Sequence, residues 1–162
     1  IGMMGSGKTT AGEAAARLVG VPFFDTDRMV VELARLPVSE IWSGVGESGF
    51  RELERRVVSE VPEQGFIAAA GGGAVIAEEN REHMRKGKPV VWLRCDPEIL
   101  ARRVDGDELR PLLEGDEDVL DILTRLLAER ALWYEDVATD IVETGDREIT
   151  DVVAEIVRIW EQ

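Results

Sequence analysis

The first nine residues contain a pattern whose chemistry is phosphate binding. The segment from Gly2 to Thr9 reads GMMGSGKT, which has the spacing of a glycine, four residues, a second glycine, a lysine and a hydroxyl residue. Glycines let successive N–H groups point into one concavity, and a following helix adds its positive end. The lysine reaches the outer phosphates of a nucleotide, and the hydroxyl can ligate magnesium. The pattern predicts a nucleotide-binding loop, and the alternative is an ordinary glycine turn before a helix.

Two carboxylates follow the first predicted strand. Asp25 and Asp27 lie where the apolar pair at 23–24 ends, and the carboxyl edge of a parallel sheet is where α/β proteins bind ligands. One carboxylate could contact a magnesium-bound water while the other accepts a hydrogen bond from an acceptor hydroxyl. The alternative is that Asp27 only caps a helix over residues 28–35.

Arg51 and a glycine triplet are the candidates for contacts with an acceptor molecule. Arg51 stands four residues after Glu47 and three before Glu54, a spacing that suits ion pairs along the surface of a helix. Arg51 could equally bind the carboxylate of a substrate, and the spacing does not separate these two roles. The triplet Gly71–Gly73 follows a buried strand and predicts close approach of a ligand to the backbone, with a plain sharp turn as the alternative.

The loop at 105–118 is a candidate lid, because it combines glycines, a proline and many acidic side chains. If it closes over a triphosphate, Arg110 could supply charge stabilisation to phosphoryl transfer, and the alternative is a solvated loop arginine. Arg147, just before the last helix, indicates nothing by itself.

Strand and helix patterns alternate along the chain. Apolar runs predict strands at 23–24, 66–70, 90–94 and 140–143. Helical patterns cover 9–19, 28–35, 47–61, 78–86, 97–103 and 119–135. A short helix opens at 37–39, and the last helix is amphipathic and includes 152–160. Because parallel strands require helical crossovers, we expect a three-layer α/β sandwich. Only Ile1 precedes the first glycine, whereas a phosphate loop normally follows a buried strand, so we expect further residues upstream.

Composition restricts the class of protein. The 162 residues suit one domain, and the net charge of −14 disfavours nucleic acid and anionic membranes as partners. No apolar run approaches the ~20 residues of a membrane span. A single cysteine, Cys95, and a single histidine, His83, leave no zinc set and fit a reducing compartment, so a cytoplasmic location is expected.

Taken together, the motifs resemble those of the bacterial shikimate kinases. The matching segments, in chain order, are Gly2–Thr10, Asp25–Asp27, Gly46–Glu54, Gly71–Gly73, Arg110–Leu113 and Arg130 with Tyr134. The resemblance covers nearly the whole chain. It implies one P-loop kinase domain over 1–162 with a five-stranded parallel sheet, a substrate-binding segment at 26–60 and a lid at 105–118. It also implies transfer of the γ-phosphoryl group of ATP to the 3-hydroxyl of shikimate, on the route to chorismate and the aromatic amino acids.

The resemblance further implies roles for individual residues. Those expected to bind ATP are Gly5, Ser6, Gly7, Lys8, Thr9, Thr10, Arg110 and Arg147. Those expected to bind shikimate are Asp27, Arg51, Gly72, Gly73 and Arg130. Those expected to act in catalysis are Lys8, Asp27 and Arg110, with Mg²⁺ as cofactor near Thr9 and Asp25. Trp42 departs from the family, which often has phenylalanine there, and would keep an aromatic wall of a different size. We expect a monomer.

Two alternatives remain open. A small-molecule kinase of the same architecture, such as a gluconate kinase, would keep the phosphate loop and change the acceptor pocket, and gluconate also carries a carboxylate. A nucleotide-binding module without phosphoryl transfer would need no acceptor site, so the combination of Asp25, Asp27, Arg51 and Arg110 argues against it.

Overall fold

The structure is a computed structural model that describes residues 1–87, 89–104 and 117–162. Within these ranges the chain forms four strands: β1 (Phe23–Asp25), β2 (Ile67–Ala69), β3 (Val91–Arg94) and β4 (Asp140–Glu143). The helices are α1 (Lys8–Val19), α2 (Thr26–Ala34), α3 (Val38–Glu60), α4 (Glu78–Lys86), α5 (Pro97–Val104), α6 (Val119–Val137) and α7 (Ile149–Trp160). A 3₁₀ turn covers Ala74–Ile76. The alternation of strand and helix follows the sequence pattern closely.

The strands form two parallel pairs, β1 with β2 and β3 with β4. Ile1 lies against the other edge of β3, where its backbone nitrogen donates to the Val91 carbonyl at 2.8 Å and its carbonyl accepts from the Leu93 N–H at 2.9 Å. A cleft of about 370 Å³ separates β2 from β3. The described residues therefore contain no single five-stranded sheet, because no strand among them pairs with both β2 and β3.

Helices cover both faces of the strands, which gives three layers. Leu93 and Val142 pack in one apolar cluster with residues of α1 and α7. The adjacent Trp92 packs on the opposite side with Leu126 and Tyr134 of α6. Because successive residues of a strand point to opposite faces, β3 contributes to both clusters. The predicted three-layer α/β arrangement is confirmed.

Short sequence signals set the helix ends. α1 ends at Gly20, which has the left-handed conformation that terminates many helices. Asp96 accepts from the Glu98 N–H at 2.9 Å at the start of α5, and Asp118 accepts from the Leu120 N–H at 2.8 Å at the start of α6. These side chains satisfy backbone donors that the first turn of a helix leaves unpaired.

Helices α2 and α3 form a unit of their own, which we call the α2–α3 segment. Gly46 has non-helical angles (φ 69°, ψ −178°), so α3 consists of two helical parts, as the sequence predicts. Val30 of α2 packs with Ile41 before the break and with Phe50 and Val57 after it. This apolar cluster fixes the two parts of α3 relative to α2.

None of the described helices combines the length and the apolar character that crossing a bilayer requires.

Candidate active site

The glycine-rich segment folds as a loop that leads directly into α1. Gly5 and Gly7 both have positive φ (77° and 87°), a conformation that side chains with a Cβ disfavour. Gly7 is the N-cap of α1, and its carbonyl accepts the Ala11 N–H at 2.8 Å. The backbone N–H groups of the first helical turn therefore lie beside the loop, as anion binding requires. The segment is therefore a glycine turn before a helix, and the same geometry suits phosphate binding.

Lys8 bends back over this loop. Its Nζ donates to the carbonyl of Met3 at 2.7 Å, which brings the ammonium group to the loop rather than into solvent. Ser6 is buried at 1% exposure, whereas Thr10 is exposed on the first turn of α1. The loop thus combines backbone donors with one fixed positive charge.

Asp25 connects the phosphate loop to the end of β1. Its Oδ2 accepts from the Thr9 hydroxyl at 2.7 Å, and its Oδ1 accepts from the N–H groups of Asp27 and Arg28 at 3.1 and 3.2 Å. Asp25 is therefore the N-cap of α2, and the prediction of Asp27 as the cap is wrong. The reason is that the chain turns at Asp25, so the helix begins at Thr26 and Asp27 already belongs to its first turn.

Asp27 lies against the glycine triplet. A Cβ atom on Gly71 would stand 2.5 Å from Asp27 Oδ1 and 2.9 Å from Glu54 Oε1. The Gly71 N–H donates to the hydroxyl of Thr26 at 2.8 Å, so the triplet and the start of α2 are fixed to each other. A side chain at position 71 would therefore have to displace the carboxylate groups of Asp27 and Glu54.

Arg51 makes the predicted ion pairs and also faces the triplet. Its guanidinium donates to Glu54 at 2.8 Å and to Glu47 at 3.3 Å. The guanidinium carbon is 5.9 Å from the centre of the Trp42 ring, and a Cβ atom on Gly73 would stand 2.5 Å from it. The ion-pairing role and the ligand-binding role predicted for Arg51 are therefore compatible, because the ion pairs hold the guanidinium group beside Gly73.

Glu54 is a buried carboxyl group in the middle of these residues. It is 1% exposed, and its Oε1 has no hydrogen-bond partner among the described residues. Burial raises the pKa of Glu54, and the nearby charge of Asp27 adds to the rise, while Arg51 opposes it. A buried carboxylate oxygen without a partner is unusual in a folded protein and is suited to a ligand hydroxyl.

Arg130 and Tyr134 approach the triplet from α6. The Tyr134 hydroxyl donates to the Gly72 carbonyl at 2.6 Å, and Arg130 donates to the same carbonyl at 3.2 Å. Tyr134 is fully buried and stacks on Trp92 with ring centres 5.4 Å apart. Burial raises the pKa of Tyr134, so its hydroxyl stays protonated and can donate.

The glycine triplet meets the phosphate loop at Gly72. A Cβ atom on Gly72 would stand 3.4 Å from the Gly2 carbonyl and 3.4 Å from the Met4 N–H nitrogen, both in the phosphate loop. Gly73 lies under Arg51 and Gly71 lies against Asp27, so the three glycines connect the loop to the α2–α3 segment. The structure thus brings together the loop, Asp25, Asp27, Arg51, the triplet and Arg130.

Two predicted arginines are not brought to this site by any described contact. Arg147 donates to the Glu143 carbonyl at 3.0 Å and to Glu155 at 2.7 Å, so it connects β4 with α7. Arg110 and most of the predicted lid lie outside the described residues.

Arg103 contacts the phosphate loop and is missed by sequence reasoning. Its guanidinium donates to the carbonyls of Gly5 at 3.3 Å and Thr144 at 3.2 Å, and also to that of Gly145. Arg103 therefore connects the loop with the turn after β4. No local pattern indicates this role, since 98 residues separate Arg103 from Gly5.

Comparison with known proteins identifies the family. The family model for shikimate kinase matches residues 4–161. The shikimate kinase of Symbiobacterium thermophilum is 43% identical over 159 residues, covering 96% of this chain and 91% of the relative. The chain belongs to the shikimate kinase family. The predicted family, and with it an ATP-dependent kinase of the shikimate pathway, is confirmed.

Solved structures agree with this membership. The shikimate kinase from Acinetobacter baumannii, determined in complex with shikimate, superimposes with a TM-score of 0.94 at 33% identity, covering 99% of this chain and 89% of that one. A gluconokinase from Sinorhizobium meliloti superimposes with a TM-score of 0.57 at 18% identity over 98% of this chain and 87% of that one, a likeness of fold alone. The gluconate kinase alternative is thus distant from this member of the shikimate kinase family.

Proposed function

We propose that this chain transfers the γ-phosphoryl group of ATP to the 3-hydroxyl of shikimate. The observation that carries the proposal is that two arginines, Arg51 and Arg130, and two carboxylates, Asp27 and Glu54, lie against the glycine triplet, which adjoins the phosphate loop at Gly72. Phosphoryl transfer needs donor and acceptor held in line at short range, and this contact supports such an arrangement. The relative from Acinetobacter baumannii was determined with shikimate bound, which supports the same acceptor.

On the donor side, we assign the phosphates of ATP to the loop and the start of α1. The residues involved are Gly5, Ser6, Gly7, Lys8, Thr9 and Thr10. Backbone N–H groups and the Lys8 ammonium group would surround the phosphate oxygens and balance charge that develops during transfer. Arg147 as a contact of the nucleotide stays a prediction.

The chemistry of Thr9 and Asp25 fits a magnesium ion. A hydroxyl and a carboxylate oxygen lie 2.7 Å apart beside the phosphate loop, and Mg²⁺ prefers such hard oxygen ligands. The described residues contain no cluster of three acidic, histidine or cysteine side chains that could hold a metal alone. This agrees with Mg²⁺, which usually relies on one or two protein groups together with substrate phosphates. When bound, the ion would neutralise charge on the phosphates.

On the acceptor side, we assign the carboxylate of shikimate to Arg51 and Arg130. Arginine presents a planar fork that matches a carboxylate, and both guanidinium groups are at the triplet. Asp27 would accept a hydrogen bond from the reacting hydroxyl and take its proton as the hydroxyl oxygen bonds to the γ-phosphorus and the bond from that phosphorus to the bridging oxygen breaks, which releases ADP. The backbone of Gly72 and Gly73 would contact the ring of the substrate closely.

Several finer expectations stay predictions. For the fold, these are one domain over 1–162 with a single five-stranded sheet. For the site, they are a substrate-binding segment at 26–60 and a lid at 105–118 with Arg110 as its catalytic arginine. A monomeric state and a cytoplasmic location complete them. Each follows from the family resemblance or from composition, and none is needed for the assignment of the acceptor.

The proposal is tested by the dependence of ADP release on the acceptor. Purified protein is incubated with ATP and Mg²⁺ and with shikimate, gluconate or no acceptor, and ADP is measured by a coupled assay. We expect release that depends on shikimate and saturates with it. Release with gluconate but not with shikimate would contradict the acceptor assignment. Tight ATP binding without release in any of the three would support the binding-module alternative.

A further inference from the structure

The turn that follows the glycine triplet is held by two side chains of α4. Asn80 donates from Nδ2 to the Ala74 carbonyl at 2.9 Å. Arg81 donates from Nη1 to the carbonyls of Val75 at 2.6 Å and Ile76 at 3.0 Å. Asn80 and Arg81 are only 2% and 7% exposed. Three consecutive carbonyls of the turn are therefore bound by buried donors from one helix.

Arg81 also contacts the helix that carries Arg130. Its Nε lies 3.4 Å from Asp136, and its guanidinium carbon is 5.8 Å from the centre of the Trp133 ring, both on α6. The same helix binds the Gly72 carbonyl through Arg130. The guanidinium group of Arg81 thus connects the turn after the glycine triplet with α6, the helix that carries Arg130.

The chemistry of this contact requires arginine. A buried guanidinium group is costly unless several donors find partners, and here it contacts two carbonyls, Glu78 and Asp136. A lysine ammonium group is a single point charge and cannot span carbonyls and carboxylates on two elements together. If only packing were needed at position 81, an apolar side chain would fill the space without the cost of desolvation.

We infer that Arg81, assisted by Asn80, is a positioning residue for the acceptor. It fixes the backbone of Gly72 and Gly73 relative to Arg130, so that the substrate carboxylate meets the triplet and the guanidinium group at the same time. This inference rests on the proposed function, because it names the part of the site that Arg81 serves. Arg81 itself contacts the turn and α6 and acts only through them.

The test compares Arg81→Lys with a matched control, Arg85→Lys. Arg85 pairs with the same two carboxylates, Glu78 and Asp136, but its described contacts include no carbonyl of the turn. For Arg81→Lys we expect the KM for shikimate to rise about tenfold or more, since a misplacement of ~1 Å at a substrate-binding group has effects up to ~10²-fold. The KM for ATP should stay within about twofold, and both constants should stay within about twofold for Arg85→Lys.

A second variant covers the case in which Arg81→Lys does not fold. Asn80→Leu removes the donor to the Ala74 carbonyl and keeps the branched shape of the side chain, and it should raise the KM for shikimate by a smaller factor than Arg81→Lys does. Folding of each variant is checked by thermal denaturation. If folded Arg81→Lys or Asn80→Leu keeps the KM for shikimate of the unaltered protein, or changes the KM for ATP equally, the inference is wrong. If the unaltered protein shows no release of ADP that depends on shikimate, the proposed function fails first.

Discussion

Replacing Gly73 by alanine tests directly whether Arg51 works at this site. The backbone of Gly73 has φ −98° and ψ −3°, angles that alanine adopts without strain. The new Cβ atom would stand 2.5 Å from the guanidinium carbon of Arg51. To reach ordinary van der Waals contact the guanidinium group must withdraw by about 1 Å. The backbone is therefore expected to stay, and Arg51 is expected to move.

The magnitude follows from the bonds that Arg51 would lose. Hydrogen bonds to charged groups contribute about 1.5–3 kcal/mol, so loss of one such bond to the substrate carboxylate predicts a KM for shikimate about 10- to 150-fold higher. The KM for ATP should stay within about twofold, because it is Gly72 rather than Gly73 that adjoins the phosphate loop.

The assay is steady-state ADP release with each substrate varied in turn, and the control is Gly44→Ala. Gly44 is exposed within α3 and has no atom near the position of an added Cβ, so the same chemical change meets open space there. The control should keep both KM values and gain up to about 1 kcal/mol of unfolding free energy from better helix propensity. A folded Gly73→Ala variant with an unchanged KM for shikimate would refute the placement of Arg51 at the substrate.

Three further predictions concern the carboxylates. Asp27→Asn should lower kcat by about 10²-fold or more while the KM for ATP changes little, and near-normal kcat would rule out Asp27 as the base. Asp25→Asn keeps an oxygen for capping α2 but removes charge beside Thr9, so the Mg²⁺ concentration for half-maximal rate should rise about tenfold or more in a titration at fixed ATP. Burial raises the pKa of Glu54 above its ordinary value of 4.5, so the folded protein binds this proton at higher pH than the unfolded chain does. Denaturant unfolding should therefore show the unaltered protein gaining stability relative to Glu54→Gln as the pH falls from neutral toward 4.5, whereas a constant difference would contradict the raised pKa.

The sequence predicts the elements well because their signals are local. A glycine after the last helical residue ends α1, and an aspartate directly before the first helical residue caps each of α5 and α6. The phosphate loop is recognisable for the same reason, since its glycines, Lys8 and Thr9 all lie within nine consecutive residues. The cap of α2 is Asp25, two residues before the predicted Asp27. The ends of helices and strands are commonly uncertain by one or two residues.

The contacts between distant elements could not be predicted in the same way. Gly72 meets Tyr134 across 62 residues, and Arg103 meets Gly5 across 98. Such contacts depend on which strands are neighbours and which helix crosses them, and no single spacing encodes that. Arg51 illustrates the limit, because its ion pairs with Glu47 and Glu54 are visible in the spacing whereas its position over Gly73 is not.

The central claim is that this site phosphorylates the 3-hydroxyl of shikimate, and the position of the phosphate in the product tests it most directly. The product formed from ATP, Mg²⁺ and shikimate is isolated and studied by phosphorus NMR with proton coupling. We predict one phosphate ester whose phosphorus couples to the proton on carbon 3 of the ring. Coupling to the proton on carbon 4 or 5, or the absence of any ester while ATP is hydrolysed, would contradict phosphorylation of the 3-hydroxyl.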